Sequence, residues 1–325
     1  GDNRILTYGV TYLSIVLICS FGIFAQFIFE RMLQATGRTF FTMISQATGA
    51  VINIILDPIL IFGLAGLPKL GIAGAAIATV VGQIVAACIA FIYNIKKNSD
   101  VNIRFKGFRP NGSIIGEIYQ IGVPSIIMQS IGSVMTAGMN VILMGISSTA
   151  AAVFGVYFKL QSFFFMPVFG LNNGLIPIVS YNYGAGNKER MKNTMKYGYL
   201  IAFIFLMLGF AAFMLIPEQL LLLFDASKDM LAIGVPALRT IGVHFLIAWY
   251  CIVTGTLFQA VGNAMYSLYV SVARQLVVLL PAAYILAKIG GLSLIWLSFP
   301  IAEIMSFIIS TVCLKLTISG KLSKI

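Results

Sequence analysis

Stretches of about twenty apolar residues recur along this chain, parted by short polar loops, and a chain built this way is constrained to cross a bilayer repeatedly. Nine such spans can be marked, with approximate limits 7–30, 40–63, 72–95, 117–145, 150–180, 197–217, 231–258, 264–288 and 291–315. Inside hydrocarbon every backbone amide must find its partner within the chain, so spans of this length are helices. The composition agrees. Only 10% of the residues are charged and 59% are hydrophobic, against about a quarter charged in soluble domains. The expected class is an all-α integral membrane protein. The runs at 117–145 and 150–180 exceed a straight crossing and contain Pro124, and Pro167 with Pro177, so bends or tilts are expected there.

The charges sort by loop. Alternate loops collect Arg38, Lys96, Lys97, Arg104, Lys106, Arg109, Lys188, Arg190, Lys192, Lys196, Lys315, Lys321 and Lys324, whereas the opposite side has Arg4, Lys69, Lys228 and Lys288. The positive-inside rule makes the first side, with the C-terminus, cytoplasmic. A net charge of +11 would suggest nucleic acid in a soluble protein; here topology accounts for it, and no nucleic-acid partner is expected. Cys19, Cys88, Cys251 and Cys313 all lie in apolar runs without metal-ligand spacing and read as small packing residues. No metal or organic cofactor is expected.

Within this apolar background, Asn53-Ile54-Ile55-Leu56-Asp57-Pro58 stands out. Asn53 and Asp57 are four residues apart and share a helix face, and Pro58 supplies no amide hydrogen to the Ile54 carbonyl. An acid within a span is costly and marks an ion or proton site by default, the alternative being a polar pair that packs helices. The charge of such a carboxylate answers to its surroundings, since apolar burial favours the proton and a nearby cation favours the anion. Lys159, His244, Arg274 and Glu303 are further charges or titratable groups within spans. Arg274 and Glu303 on neighbouring helices suit an ion pair; Lys159 suits the same carboxylate or a cavity wall; His244 suits a satisfied core position, or proton work, since imidazole titrates near neutrality.

An internal repeat organises the chain. Leu33-Gln34-Ala35-Thr36-Gly37 and Phe258-Gln259-Ala260-Val261-Gly262 each precede an apolar span, at an offset of 225 residues. The polar, basic stretch 96–112 is the expected cytoplasmic seam, dividing an N-terminal lobe at 1–95 from a C-terminal lobe at 113–325. The second half has three spans before its copy of the turn and the first has none, so two pseudo-symmetric six-helix bundles are expected in the natural protein. Roughly 110 residues, three helices, would then precede this chain, which opens on Gly1-Asp2-Asn3-Arg4 without an initiator Met.

The runs Leu33 to Gly37, Asn53 to Pro58, Gly71-Ile72-Ala73-Gly74-Ala75-Ala76-Ile77-Ala78-Thr79, and Ile176-Pro177-Ile178-Val179-Ser180-Tyr181-Asn182-Tyr183-Gly184-Ala185-Gly186-Asn187 together resemble the MATE multidrug and toxin extrusion transporters, particularly the bacterial multidrug-efflux branch. The resemblance implies a twelve-helix antiporter of the cytoplasmic membrane that expels cationic or amphipathic compounds against inward H⁺ or Na⁺, with these spans as helices four to twelve. It also implies an N-lobe cation site in which Asn53 and Asp57 match the fifth-helix pair and Thr79 the sixth-helix Thr. The matching first-helix Asp falls in the part expected to be missing. Another branch uses acids in helices seven and ten; span 231–258 contains neither Asp nor Glu, and Glu117 sits only at the start of its span. The expected cycle has H⁺ or Na⁺ at Asp57 reshaping the cavity to release drug from a monomeric protein.

Other features carry structural readings. Gly74, Ala78 and Gly82, like Gly71, Ala75 and Thr79, have small-residue spacing that lets helices approach. Glu30-Arg31 falls at a cytoplasmic helix end, where an interfacial pair costs little. Phe163 to Phe165 with Met166 suit either a pliable drug-facing wall or lipid-facing packing. The Gly184 to Lys188 turn lacks phosphate-loop spacing. A lipid-linked oligosaccharide flippase of the same superfamily is the rival function, although basic residues facing a pyrophosphate would be expected there. Enzyme chemistry is not expected, since the single His and the absence of GxSxG leave no catalytic cluster.

Overall fold

The computed structural model describes residues 3–64, 66, 68–103 and 109–320. Gly1, Asp2, Arg104, Lys106, Lys321, Lys324 and the side chain of Arg4 lie outside the described residues.

The helices fall where the apolar runs place them. The chain forms two units, 1–109 and 110–325. The first holds α1 (Asn3–Ile18), α2 (Phe21–Ala35), α3 (Thr39–Phe62) and α4 (Ile72–Lys97). The second holds α5 (Gly112–Met144), α6 (Ser148–Gly184), α7 (Lys188–Leu215), the short α8 (Pro217–Leu222), α9 (Lys228–Gly242), α10 (Phe245–Ala260), α11 (Ala264–Val272), a π-helical turn (Ala273–Leu279), α12 (Leu280–Ile295) and α13 (Ser298–Gly320). Among the described residues seven helical runs are long and apolar enough to cross a membrane, and two bent pairs bring the spans to nine. Side-chain caps set several starts: Asn111, Ser147, Asn187 and Ser227 each accept a backbone N–H of the first turn that follows.

The sharp breaks fall away from the prolines. α5 and α6 run as single helices through Pro124, Pro167 and Pro177. The bends between α1 and α2, 49°, and between α9 and α10, 51°, carry no Pro. Span 264–288 is interrupted by the π-helical turn, and α12 by Gly291, whose φ of 58° is a left-handed conformation that glycine adopts without strain.

The two repeat copies share one backbone turn. Gly37 and Gly262 both have φ of 75°. Arg38 N donates to Leu33 O at 2.8 Å, and Asn263 N to Phe258 O at 2.7 Å. Each is a glycine-terminated helix end in which the residue after the glycine closes the final turn.

In the first unit α4 packs against α1, α2 and α3. The α3–α4 crossing is as close as backbones permit. A Cβ on Gly82 would lie 2.7 Å from the Gly49 carbonyl oxygen, and one on Gly49 would lie 2.8 Å from that of Gly82. Gly74 meets the Leu60 backbone in the same way, so α4 runs antiparallel to α3 along its Gly74, Ala78 and Gly82 stripe. Gly82→Ala should therefore force the pair apart and cost about 1–3 kcal/mol. Circular-dichroism melting of the purified protein would read this as a lowered transition; an unchanged one would mean that the helices can separate freely.

The second unit has an aromatic centre. Tyr157, Phe213, Phe245 and Phe299 pack ring to ring across α6, α7, α10 and α13. Phe165 joins them, whereas Phe163 and Met166 are exposed. Large apolar residues such as Ile54, Val141 and Leu215 also lie on the outside, where lipid is the solvent.

Candidate functional site

The close crossing of α3 and α4 builds the first site. Asn53 lies one turn after Gly49 and Thr79 one turn before Gly82, so an approach that only glycines permit sets the two polar side chains opposite each other. Asn53 Nδ2 donates to Asp57 Oδ1 at 3.3 Å and reaches Thr79 Oγ1 at 3.5 Å. Thr79 Oγ1 donates to the Ala75 carbonyl at 3.0 Å, which fixes its lone pairs toward Asn53. All three residues are half-buried. α3 continues through Pro58 to Phe62, so the proline does not end the helix that holds Asp57.

Beside this triad lies a cavity of about 200 Å³ lined by Gln26, Gln46, Asn53, Thr79 and Gln83, among others. Asp57 stands one turn along α3 from its wall. The Gln83 side-chain oxygen Oε1 is buried there without a hydrogen-bond partner among the described residues.

At the other end of the cavity the structure corrects the reading of Glu30. Arg31 donates to Gln34 at 2.6 Å, while Glu30 turns inward and is only 1% exposed. Neutral donors hold its carboxylate: Gln26 Nε2 at 2.9 Å and Ser45 Oγ at 3.1 Å on Oε1, and Gln46 Nε2 at 2.7 Å on Oε2. Gln26 and Gln46 also line the cavity, so the cavity lies between the hydrogen-bond partners of two carboxylates. Gln46, Asn53 and Asp57 follow i, i+7, i+11 spacing on α3, and Gln26 precedes Glu30 by one turn; these polar faces were the available signal.

Of the second-unit candidates, Arg274 and Glu303 pair with His244 near them, and Lys159 stands apart. Lys159 is exposed, with its ammonium 5.7 Å from the Phe224 ring centroid. His244 occupies the break between α9 and α10, where Nδ1 and the Ile241 carbonyl are 2.6 Å apart, and packs against Phe245 at 4.6 Å between centroids. Arg274 Nη1 donates to Glu303 Oε2 at 3.3 Å. Among the described residues the other ion pair, Arg38 to Asp100 at 3.3 Å, ties the start of α3 to the segment after α4.

Comparison with known proteins places these features in a family. The MatE family model matches residues 1–59 and 124–285. The multidrug export protein MepA of Staphylococcus haemolyticus strain JCSC1435 is 27% identical over 303 residues, 93% of this chain and 66% of that protein. MepA of Staphylococcus aureus strain MSSA476 is 28% identical over 304 residues, 93% of this chain and 65% of that protein. An outward-facing multidrug resistance MATE family transporter of the MOP superfamily superposes with a TM-score of 0.88 at 25% identity, over 97% of this chain and 70% of that one. A MOP superfamily transporter from Pyrococcus furiosus superposes with a TM-score of 0.87 at 25% identity, over 96% of this chain and 70% of that one. The chain thus spans about two thirds of the length of the curated relatives it matches.

Proposed function

Since the chain belongs to the MatE family, a family of membrane transporters rather than enzymes, we propose that it serves a secondary antiporter that exports cationic or amphipathic drugs from the cytoplasm against inward H⁺ or Na⁺. The observation that carries this reading is the Asp57–Asn53–Thr79 triad at the edge of a polar cavity. Residues 1–95 serve as the N-terminal lobe, 96–112 as a cytoplasmic connection and 113–325 as the C-terminal lobe, with the C-terminus cytoplasmic.

The triad suits ion coupling because its members change roles with one proton. While Asp57 is ionised it accepts from Asn53, whose amide hydrogens are engaged by Asp57 and Thr79. A proton on Asp57 makes the carboxyl a donor, so Asn53 turns its carbonyl toward it and the NH₂ group elsewhere, altering the cavity wall. A Na⁺ ion would instead meet the carboxylate, the Asn53 carbonyl and the Thr79 hydroxyl, oxygen ligands of the kind hard cations take. Either ion neutralises the negative charge that favours a cationic drug, and competition between drug and ion is the coupling.

Binding separates this from lipid-linked oligosaccharide transport. The protein reconstituted in nanodiscs should bind a fluorescent cationic dye and show no saturable binding of a lipid-linked pyrophosphate. The reverse preference would make it a flippase.

A further inference from the structure

We propose that Glu303 is a second proton-binding site, formed in the second unit by α13, α10, α6 and the π-helical turn, in which the proton exchanges places with Arg274. The site is built to hold both states of the carboxyl. Glu303 is almost wholly buried, at 3% side-chain exposure, yet only one of its oxygens is engaged by a nitrogen or oxygen donor. Oε2 accepts the single 3.3 Å bond from Arg274, whose side chain is 28% exposed. Oε1 and the Ser306 hydroxyl have no nitrogen or oxygen partner among the described residues, only the Cys251 thiol beside Glu303 and Ser306, and the buried Tyr157 and Ser310 hydroxyls have no hydrogen-bond partner among the described residues. Glu303, Ser306 and Ser310 follow i, i+3, i+7 spacing and share one buried face of α13. Tyr157 stacks edge-on against Phe299, one turn before Glu303, at 5.4 Å between centroids.

Buried polar atoms are nearly always bonded, to protein or to ordered water, so two hydroxyls without a partner beside a carboxylate oxygen and a hydroxyl that have only a thiol mark a place that holds something polar. A metal cation suits it poorly, because Arg274 already balances the carboxylate and a further positive charge would be buried without compensation. A proton suits it well. Added to Glu303, it converts the carboxylate to a neutral acid whose O–H can donate to a hydroxyl oxygen, directly or through water, while the Arg274 bond is given up. Arg274, whose side chain is 28% exposed, is then free to swing away from the carboxyl, and it stands in a π-helical turn, a locally under-wound geometry able to shift its hydrogen-bond register.

The titratable groups facing Glu303 are few. Arg274 comes from the π-helical turn, His244 from the α9–α10 break, Cys251 from α10 and Tyr157 from α6. The others turn elsewhere: Tyr250 bonds Thr311, Tyr266 packs on Phe258, Tyr269 is exposed, and Lys288 stacks on the exposed Tyr284. On α9 and along α13, Arg239 and Lys315 are exposed.

This inference stands apart from the reading of Asp57, and infrared difference spectroscopy separates them. The reconstituted protein, cycled between neutral and acidic buffer in H₂O and D₂O, should show a deuterium-sensitive carboxylic C=O component that Glu303→Gln deletes. Asp57→Asn should leave that component in place. Ser306→Ala and Tyr157→Phe should move its frequency while keeping its area, which a carboxylate held only by Arg274 would not show. If Glu303→Gln fails to fold, Tyr157→Phe carries the test, since it spares the ion pair. An acid-minus-neutral spectrum that neither variant alters would overturn the proposal and leave Arg274–Glu303 as a permanently ionised structural pair.

Discussion

Asp57→Asn should leave the protein folded and lower ion-driven drug export by about 5- to 150-fold, the range of a coupling free energy of about 1–3 kcal/mol. The fold survives because asparagine has nearly the same shape and its carbonyl oxygen can still accept the Asn53 amide now bonded to Asp57 at 3.3 Å. What disappears is the charge, and with it the ability to exchange a proton or sodium ion for a cationic drug. Asn53→Asp would be the informative partner: it puts a second acid one turn away, where two carboxylates compete for one proton. Dye retention in cells expressing each variant, normalised to protein in the membrane, reads the effect. Export by Asp57→Asn equal to the wild type would place the coupling elsewhere.

Glu30→Ala should be the most destabilising single change in the first unit, at about 3 kcal/mol or more. The substitution leaves the Gln26 and Gln46 donors without their acceptor, while Ser45 keeps the Thr42 carbonyl at 2.9 Å, in a site where Glu30 is 1% exposed. Each hydrogen bond to a charged group is worth about 1.5–3 kcal/mol, and stranded donors bear their desolvation in full. The damage is not confined to stability. Gln26 and Gln46 line the cavity and lose the anchor that orients them, so ligand affinity should fall too. Glu30→Gln keeps one acceptor oxygen and should lose less on both counts. Thermal unfolding of the two variants side by side checks the order, and a Glu30→Ala protein that melts with the wild type would mean that the carboxylate does not hold α2 to α3.

The parts of this architecture that were legible in the sequence are those set by local periodicity. The seven long apolar helices and the two bent pairs follow from apolar run length, and the matched turns at Gly37 and Gly262 follow from a repeated pentapeptide. Asn53 and Asp57 are readable as a pair because four residues bring side chains together on any helix. Thr79 is different: its place opposite Asn53 depends on the Gly49–Gly82 crossing, a contact between helices that spacing within either one does not specify. Glu30 was misread for the same reason. Its neighbour Arg31 suggests an exposed charged end, and only the approach of Ser45 and Gln46 from α3 turns the carboxylate inward. The two helix breaks had no proline to mark them either. Pro124, Pro167 and Pro177 lie in uninterrupted helices, where one lost hydrogen bond is tolerable, whereas the breaks at 19–20 and 243–244 contain no Pro.

Transport under separately imposed gradients tests the central claim most directly. Proteoliposomes holding the whole protein and loaded with a cationic dye would be given an inward proton gradient, an inward sodium gradient, or neither. The account predicts that one gradient drives dye efflux in the wild type and that Asp57→Asn abolishes that dependence while dye still binds. Efflux indifferent to both gradients, or gradient-driven efflux that persists in Asp57→Asn, would contradict it.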